Sequence, residues 1–304
     1  MKARRRRLPV LLAVALLAGR ALPAGEPGYL PAPLPLRLPA GVQLSAVAGL
    51  AVDSTGALLI FHRAEPPVLV FDGTGRHLRS FGTGLFKAAH GLRVDAADNV
   101  WATDMANHTV VKFSPDGRVL LTLGERDRPG DDPAHFNRPA DIAFAANGDF
   151  FVADGYGNSR IVKFDRTGRF LKAWGHRGKG EGEFNLPHAV GLDSKGLLYV
   201  ADRENNRLQV FDQEGRFVRQ FGGFAPYGLF ISADDRLFVA DGRAHRVLLL
   251  RLDGTVHASW GTLGSEPGNF NLPHALTGDA QGAVYVGEVP GKRVQKFVPR
   301  PAAK

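Results

Sequence analysis

Apolar and polar residues alternate with a period of two along most of the chain, in short runs bounded by Asp, Gly and Asn. That alternation predicts strands with one buried face, and the bounding residues predict tight turns between them. The runs recur as a unit: a start segment, a strand ending in an acidic residue, a short loop, a second strand, a turn and a third strand. The acid-ended strands are VWATD, FFVAD, LYVAD, LFVAD and VYVGE, closing at Asp104, Asp154, Asp202, Asp241 and Glu288. Behind them come VVKF, IVKF, LQVF, VLLL and VQKF, and then the turns SPDG, DRTG, DQEG and RLDG. Aromatic–glycine corners end the units at Phe81-Gly82, Trp174-Gly175, Phe221-Gly222 and Trp260-Gly261.

Equivalent start positions are Ala48, His90, Ala140, His188, Tyr227 and His274, spaced by 42, 50, 48, 39 and 47 residues. Repeats of roughly 40–50 residues with about four strands each predict a β-propeller, and six starts predict six blades over residues 41–300. The last unit stops after VQKFVP without a fourth strand of its own. The segment Leu36–Val47, upstream of the first unit, is expected to supply that strand and close the ring. A parallel β-helix is the competing fold, but its repeats are shorter and leave no use for a displaced strand.

Composition agrees with an all-β chain. Glycine at 37 and proline at 20 among 304 residues exceed what long helices tolerate. Cysteine is absent, which excludes disulfides, thiol nucleophiles, zinc–thiolate sites and iron–sulfur clusters, so any metal falls to histidine and carboxylate. Of the net charge of +8, six charges are Lys2, Arg4, Arg5, Arg6, Arg7 and Arg20, leaving +2 for the rest. A nucleic-acid partner loses its main support. Those basic residues precede the apolar stretch Leu8–Ala18 and small residues near Ala21–Ala24, the order of a secretory signal over residues 1–24. The stretch is too short to span a bilayer comfortably; a peripheral anchor is the alternative. The expectation is a secreted or periplasmic protein with no stable membrane span after cleavage. A proline-rich, extended lead-in follows at 25–40, and residues 301–304 form a tail.

In a propeller the innermost strand of each blade begins near the axis, so the six start positions ring one end of the channel. His90, His188 and His274 hold alternate positions and converge from 120° apart. A single histidine there reads as a satisfied core residue; three on alternate blades suit a catalytic zinc with an open position, with iron(II), cobalt and manganese as alternatives. The loop after the second strand returns to the same face. It carries Arg63, Tyr156 and Arg203 in blades one, three and four. Guanidinium groups at the mouth of a histidine ring point to an anionic, carboxylate-bearing substrate. A phenol beside a metal and an arginine is expected to ionise more easily and serve as base.

FHR (61–63), HGLRVD (90–95), DGYGNSRIVKF (154–164), LPHAVGL (186–192), VADREN (200–205) and NLPH (271–274) together resemble the peptidyl-α-hydroxyglycine α-amidating lyase family, whose fold is a six-bladed propeller of NHL-type repeats. The resemblance covers essentially residues 40–300. It implies zinc held by His90, His188 and His274, substrate carboxylate held by Arg63 and Arg203, and Tyr156 as general base. The implied reaction cleaves the N–Cα bond of a peptidyl-α-hydroxyglycine to an amide and glyoxylate.

The departures matter too. The family's structural calcium uses backbone carbonyls, here at Leu50 and Leu92, and an aspartate where this chain has Ala275, so poor calcium binding is expected. A disulfide joining the segments of Asn137 and Gly157 is impossible here, and a family methionine is Leu272. The chain has no copper monooxygenase half, so either a separate hydroxylating monooxygenase supplies the substrate, or the substrate is another carboxylated carbinolamide such as a ureidoglycolate-like molecule. Two other readings compete: a non-catalytic NHL propeller that binds a protein or glycan, and a metal-dependent propeller hydrolase or lactonase.

Overall fold

The period-two runs become twenty-four strands in six four-stranded sheets across residues 28–300, which are those described by the computed structural model. The secretory signal and the tail lie outside the described residues. Blade one is Val47–Val52, Leu58–His62, Val68–Phe71 and His77–Phe81; blade two is Ala89–Val94, Val100–Asp104, Thr109–Phe113 and Val119–Leu123. Blade three is Asp141–Phe144, Phe150–Asp154, Arg160–Phe164 and Phe170–Trp174; blade four is Pro187–Leu192, Leu198–Asp202, Arg207–Phe211 and Phe217–Gly222. Blade five is Pro226–Ile231, Leu237–Asp241, Arg246–Leu250 and Val256–Trp260. Blade six is Pro273–Gly278, Val284–Glu288 and Val294–Pro299, completed by Tyr29–Ala32. The molecule is a six-bladed β-propeller. Second strands are buried throughout, as in Leu58–His62, because neighbouring blades cover both faces. Each such buried Leu, Ile or Phe is worth ~1.5–3 kcal/mol.

Ring closure differs from the expectation in one respect. The fourth strand of blade six is Tyr29–Ala32, inside the proline-rich lead-in, and not a strand within Leu36–Val47. It pairs antiparallel with Val294–Pro299, matching Tyr29 to Pro299 and Ala32 to Lys296. Prolines are tolerated because an outermost strand needs only one side of its backbone for the ladder. Tyr29 anchors the strand: its ring stacks on Trp260 at 5.1 Å and meets Phe238 edge-on at 5.4 Å. Residues 34–44 instead lay Leu34, Leu36, Leu38, Val42 and Leu44 against the core shared by blades six and one.

The acid that ends the second strand in blades two to six is structural. Asp154 is fully buried and accepts from the Asn137 amide (2.8 Å), Asn158 Nδ2 (2.7 Å) and Arg160 Nε (2.9 Å). Asp202 does the same for the Asn185 amide at 2.6 Å and Arg207 Nε at 2.8 Å. Each carboxylate thereby ties the segment entering a blade to the loop leaving its second strand. The next residues carry the site.

Candidate metal centre

The first strands line the axis with their starts at one end. His90, His188 and His274 are each the second residue of their strands, as are Ala48 and Tyr227, while Ala140 immediately precedes Asp141–Phe144. Each histidine donates its Nδ1 hydrogen to the carbonyl of the start residue on the next blade: His90 to Ala140 (2.8 Å), His188 to Tyr227 (2.5 Å) and His274 to Ala48 (3.1 Å). A carbonyl can only accept, so these bonds fix the tautomer and leave every Nε2 lone pair free to ligate. Close approach of the strands requires small residues here; a Cβ on Gly228 would stand 2.1 Å from the His274 carbonyl oxygen.

The three rings form a nearly equilateral set with centroids 4.7, 4.9 and 4.9 Å apart, and their ligand atoms all lie within 4.8 Å of one another. Burial, reinforced by the Arg63 and Arg203 charges, pushes His90 down to about 3. Burial likewise holds His188 and His274 well below the usual imidazole range. Three neutral, oriented imidazoles fit a divalent metal that takes nitrogen donors.

The loops place two of the three expected residues against this trio. Backbone amides of Arg63, Tyr156 and Arg203 donate to the carbonyls of Ala46, Arg138 and Leu186 at 3.1, 3.2 and 3.2 Å, so the same tie recurs in blades one, three and four. The Tyr156 oxygen lies 3.0 Å from His90 Nε2 and 2.9 Å from His188 Nε2, and Arg203 Nη1 donates to it at 3.3 Å. Arg63 stands at the rim, exposed, with its Nε donating to the Ala89 carbonyl at 3.1 Å. Burial pushes the Tyr156 phenol up, outweighing the opposing pull of Arg203 and Arg63. The easier ionisation expected from sequence therefore does not arise in the chain alone; it would need a cation's charge nearby.

Beneath the histidines the channel holds a buried charge pair. Leu50, Leu92 and Ala275 line it as expected, but Arg93 and Asp141 do as well. Arg93 Nη2 donates to Asp141 Oδ2 at 2.6 Å and to the Leu229 carbonyl at 3.3 Å, and Nη1 reaches the Leu276 carbonyl at 3.4 Å. Asp141 Oδ2 also accepts from the Val190 amide at 3.1 Å. One guanidinium and one carboxylate thus join blades two to six, and the carboxylate nearest the channel already has a cationic partner. The segments of Asn137 and Gly157 are adjacent without a disulfide, through a 2.9 Å bond from the Gly157 amide to the Asn137 carbonyl. Tyr227 and Glu204 also meet Arg203, and Arg243 in turn donates to Glu204, contacts that the sequence pattern gave no reason to expect.

Comparison with known proteins gives the same family. Residues 136–164 and 184–211 match the NHL repeat family. A Caenorhabditis elegans protein named as a probable peptidyl-α-hydroxyglycine α-amidating lyase is 30% identical over 81% of this chain and 80% of its own length. Human NHL repeat-containing protein 3 is 32% identical over 82% of this chain and 78% of its own length. Peptidyl-glycine α-amidating monooxygenase B of Xenopus laevis is 34% identical over 83% of this chain, which spans only 34% of that protein. Among solved structures, a streptogramin B lyase matches with a TM-score of 0.65 at 16% identity, covering 90% of this chain and 97% of that one. A gluconolactonase from Xanthomonas campestris matches with a TM-score of 0.65 at 15% identity, covering 93% and 100%. At those identities the likeness is one of fold. The chain belongs to the peptidyl-α-hydroxyglycine α-amidating lyase family of NHL-repeat propellers.

Proposed function

We propose that this protein is an exported zinc-dependent lyase that cleaves the N–Cα bond of a peptidyl-α-hydroxyglycine, or of a similar carboxylated carbinolamide, to an amide and glyoxylate. The observation that carries the reading is the trio of oriented imidazoles, with the Tyr156 hydroxyl against Nε2 of His90 and His188 and Arg203 donating to that hydroxyl. Zinc held by His90, His188 and His274 would supply a Lewis acid to polarise a substrate oxygen and a charge that favours ionised groups beside it. Arg203, with Arg63 at the rim, binds the substrate carboxylate through paired N–H donors. Tyr156 takes the proton of the α-hydroxyl. The oxygen lone pair so released forms the carbonyl of glyoxylate as the C–N electrons leave with nitrogen. That nitrogen gains one proton, so protons balance and no redox partner is needed.

Related proteins named as amidating lyases support this reading. In this reading a separate hydroxylating monooxygenase supplies the hydroxyglycine. Among the described residues no helix is long and apolar enough to cross a membrane. The test is release of glyoxylate and benzamide in equal amounts from α-hydroxyhippurate, with ureidoglycolate as the second substrate. Absence of glyoxylate from both, in zinc-replete protein, would contradict the lyase reading.

A further inference from the structure

Arg203 is held on several sides by its own chain. Its Nε donates to Glu204 Oε1 at 2.9 Å, and one Nη1 hydrogen goes to the Tyr156 oxygen at 3.3 Å. The guanidinium carbon lies 4.7 Å from the Tyr227 ring centroid and 5.4 Å from that of Tyr156, so it sits between two aromatic rings. The other oxygen of Glu204 is taken: Oε2 accepts from Arg243 Nη2 at 2.5 Å, and Arg243 Nη1 donates to Asn206 Oδ1 at 3.3 Å. The backbone supports this bridge. Arg203–Asn205 and Gly242–Ala244 are matching single turns of 3-10 helix, each ended by a residue in the left-handed region, Asn206 at φ 54° and His245 at φ 54°. The two loops therefore present Glu204 and Arg243 to each other across the seam between blades four and five.

A guanidinium has five N–H donors in a rigid fork. With Nε on Glu204 and one Nη1 hydrogen on Tyr156, the unspent donors are at the Nη1–Nη2 end, where a carboxylate is bound in two-pronged fashion. We infer that Glu204 and Tyr227 are positioning residues for carboxylate recognition: Glu204, braced by Arg243, fixes the roll of the Arg203 guanidinium, and the Tyr227 ring fixes its plane. A free arginine side chain would have to be ordered by each arriving ligand; here that ordering is built into two adjacent loops. The inference rests on the carboxylate-binding role given to Arg203 above.

Two measurements on the zinc-loaded full chain test it: steady-state kinetics with α-hydroxyhippurate and calorimetric titration with glycolate, a small α-hydroxycarboxylate. Glu204→Gln should raise KM and the glycolate Kd by about tenfold, as expected on losing a charge-assisted contact, with kcat within about twofold and metal content and melting temperature unchanged. Glu204→Asp should recover part of the loss. Tyr227→Leu should raise both constants, and Tyr227→Phe, which keeps the ring, should restore most of the affinity. If the parent releases no glyoxylate, the lyase reading fails on that assay alone and the titration still decides: weaker glycolate binding by Glu204→Gln supports the inference. Equal binding by parent and Glu204→Gln, no binding by the parent, or a fall in kcat at constant KM would overturn it.

Discussion

The hydroxyl oxygen of Tyr156 stands 2.9 Å from Nε2 of His188, so a loop residue of blade three meets an imidazole presented by the first strand of blade four. The contact depends on a glycine. A Cβ at Gly155 would come within 1.9 Å of the Pro187 carbonyl oxygen, so only glycine lets this loop lie against the residue preceding His188. Tyr156 and His188 are thereby fixed relative to each other by packing between blades.

Tyr156→Phe keeps the ring against His90 and His188 and removes only the oxygen. If the phenol is the base, kcat for α-hydroxyhippurate should fall by ~10²–10⁴ while zinc content stays at the parental level. Stopped assays paired with metal analysis check both parts. Parental turnover would remove Tyr156 from the chemistry.

Arg203→Lys replaces a two-pronged donor with a point charge. KM should rise with little change in kcat, since the lost interaction is made to substrate and transition state alike. An esterified substrate, which has no carboxylate to hold, should be poor for the parent and scarcely worse for the variant. An unchanged KM would return Arg203 to a structural role.

Added calcium should not raise the melting temperature, because a ligand that binds only the folded state must stabilise it and the channel here is already cross-linked by Arg93 and Asp141. Arg93→Met strands the Asp141 carboxylate, which is 5% exposed, and should cost ~3–5 kcal/mol. The double variant Arg93→Met/Asp141→Leu should lose less than Arg93→Met alone. Calcium dependence should emerge only when Ala275→Asp is combined with Arg93→Met, and calorimetric melting with and without calcium reads each case.

Metal-free protein should lose stability in acid through the trio. Burial holds the folded imidazoles far below their ordinary value, His90 at about 3, whereas unfolded histidine titrates near ~6.5. Within that window the unfolded chain binds protons that the folded chain refuses. The stabilisation is therefore complete above about pH 6.5 and is lost as pH falls, with a slope of at most about 4 kcal/mol per pH unit for three protons. Urea midpoints of chelated parent and of the His90/His188/His274 triple alanine variant should diverge with pH. Parallel profiles would contradict the assigned burial.

The fold and the convergence of the three histidines were legible because each rests on a repeated position. The six start positions carried the blade count, and the histidines at alternate starts carried the ring. The closing strand was not legible: YLPA is short, contains proline and lacks alternation, and only pairing with Val294–Pro299 makes it a strand. Asp141 did leave a signal, since the residue after each start is otherwise Gly49, Gly91, Ala189, Gly228 or Ala275, all small. Its partner Arg93, two positions further along the first strand of the neighbouring blade, faces the same channel, but nothing in the spacing predicted that their side chains would meet. Glu204 and Arg243 lie on loops of different blades, so their contact follows only from assembly of the ring.

Elemental analysis of the purified protein is the most direct test of the central claim, that three alternate-blade histidines form one metal centre. About one zinc per chain is predicted, lost in His188→Ala and in the His90/His188/His274 triple alanine variant while the propeller still melts cooperatively. Stoichiometric zinc retained by the folded triple variant, or no zinc in parent protein incubated with zinc and desalted, would contradict it.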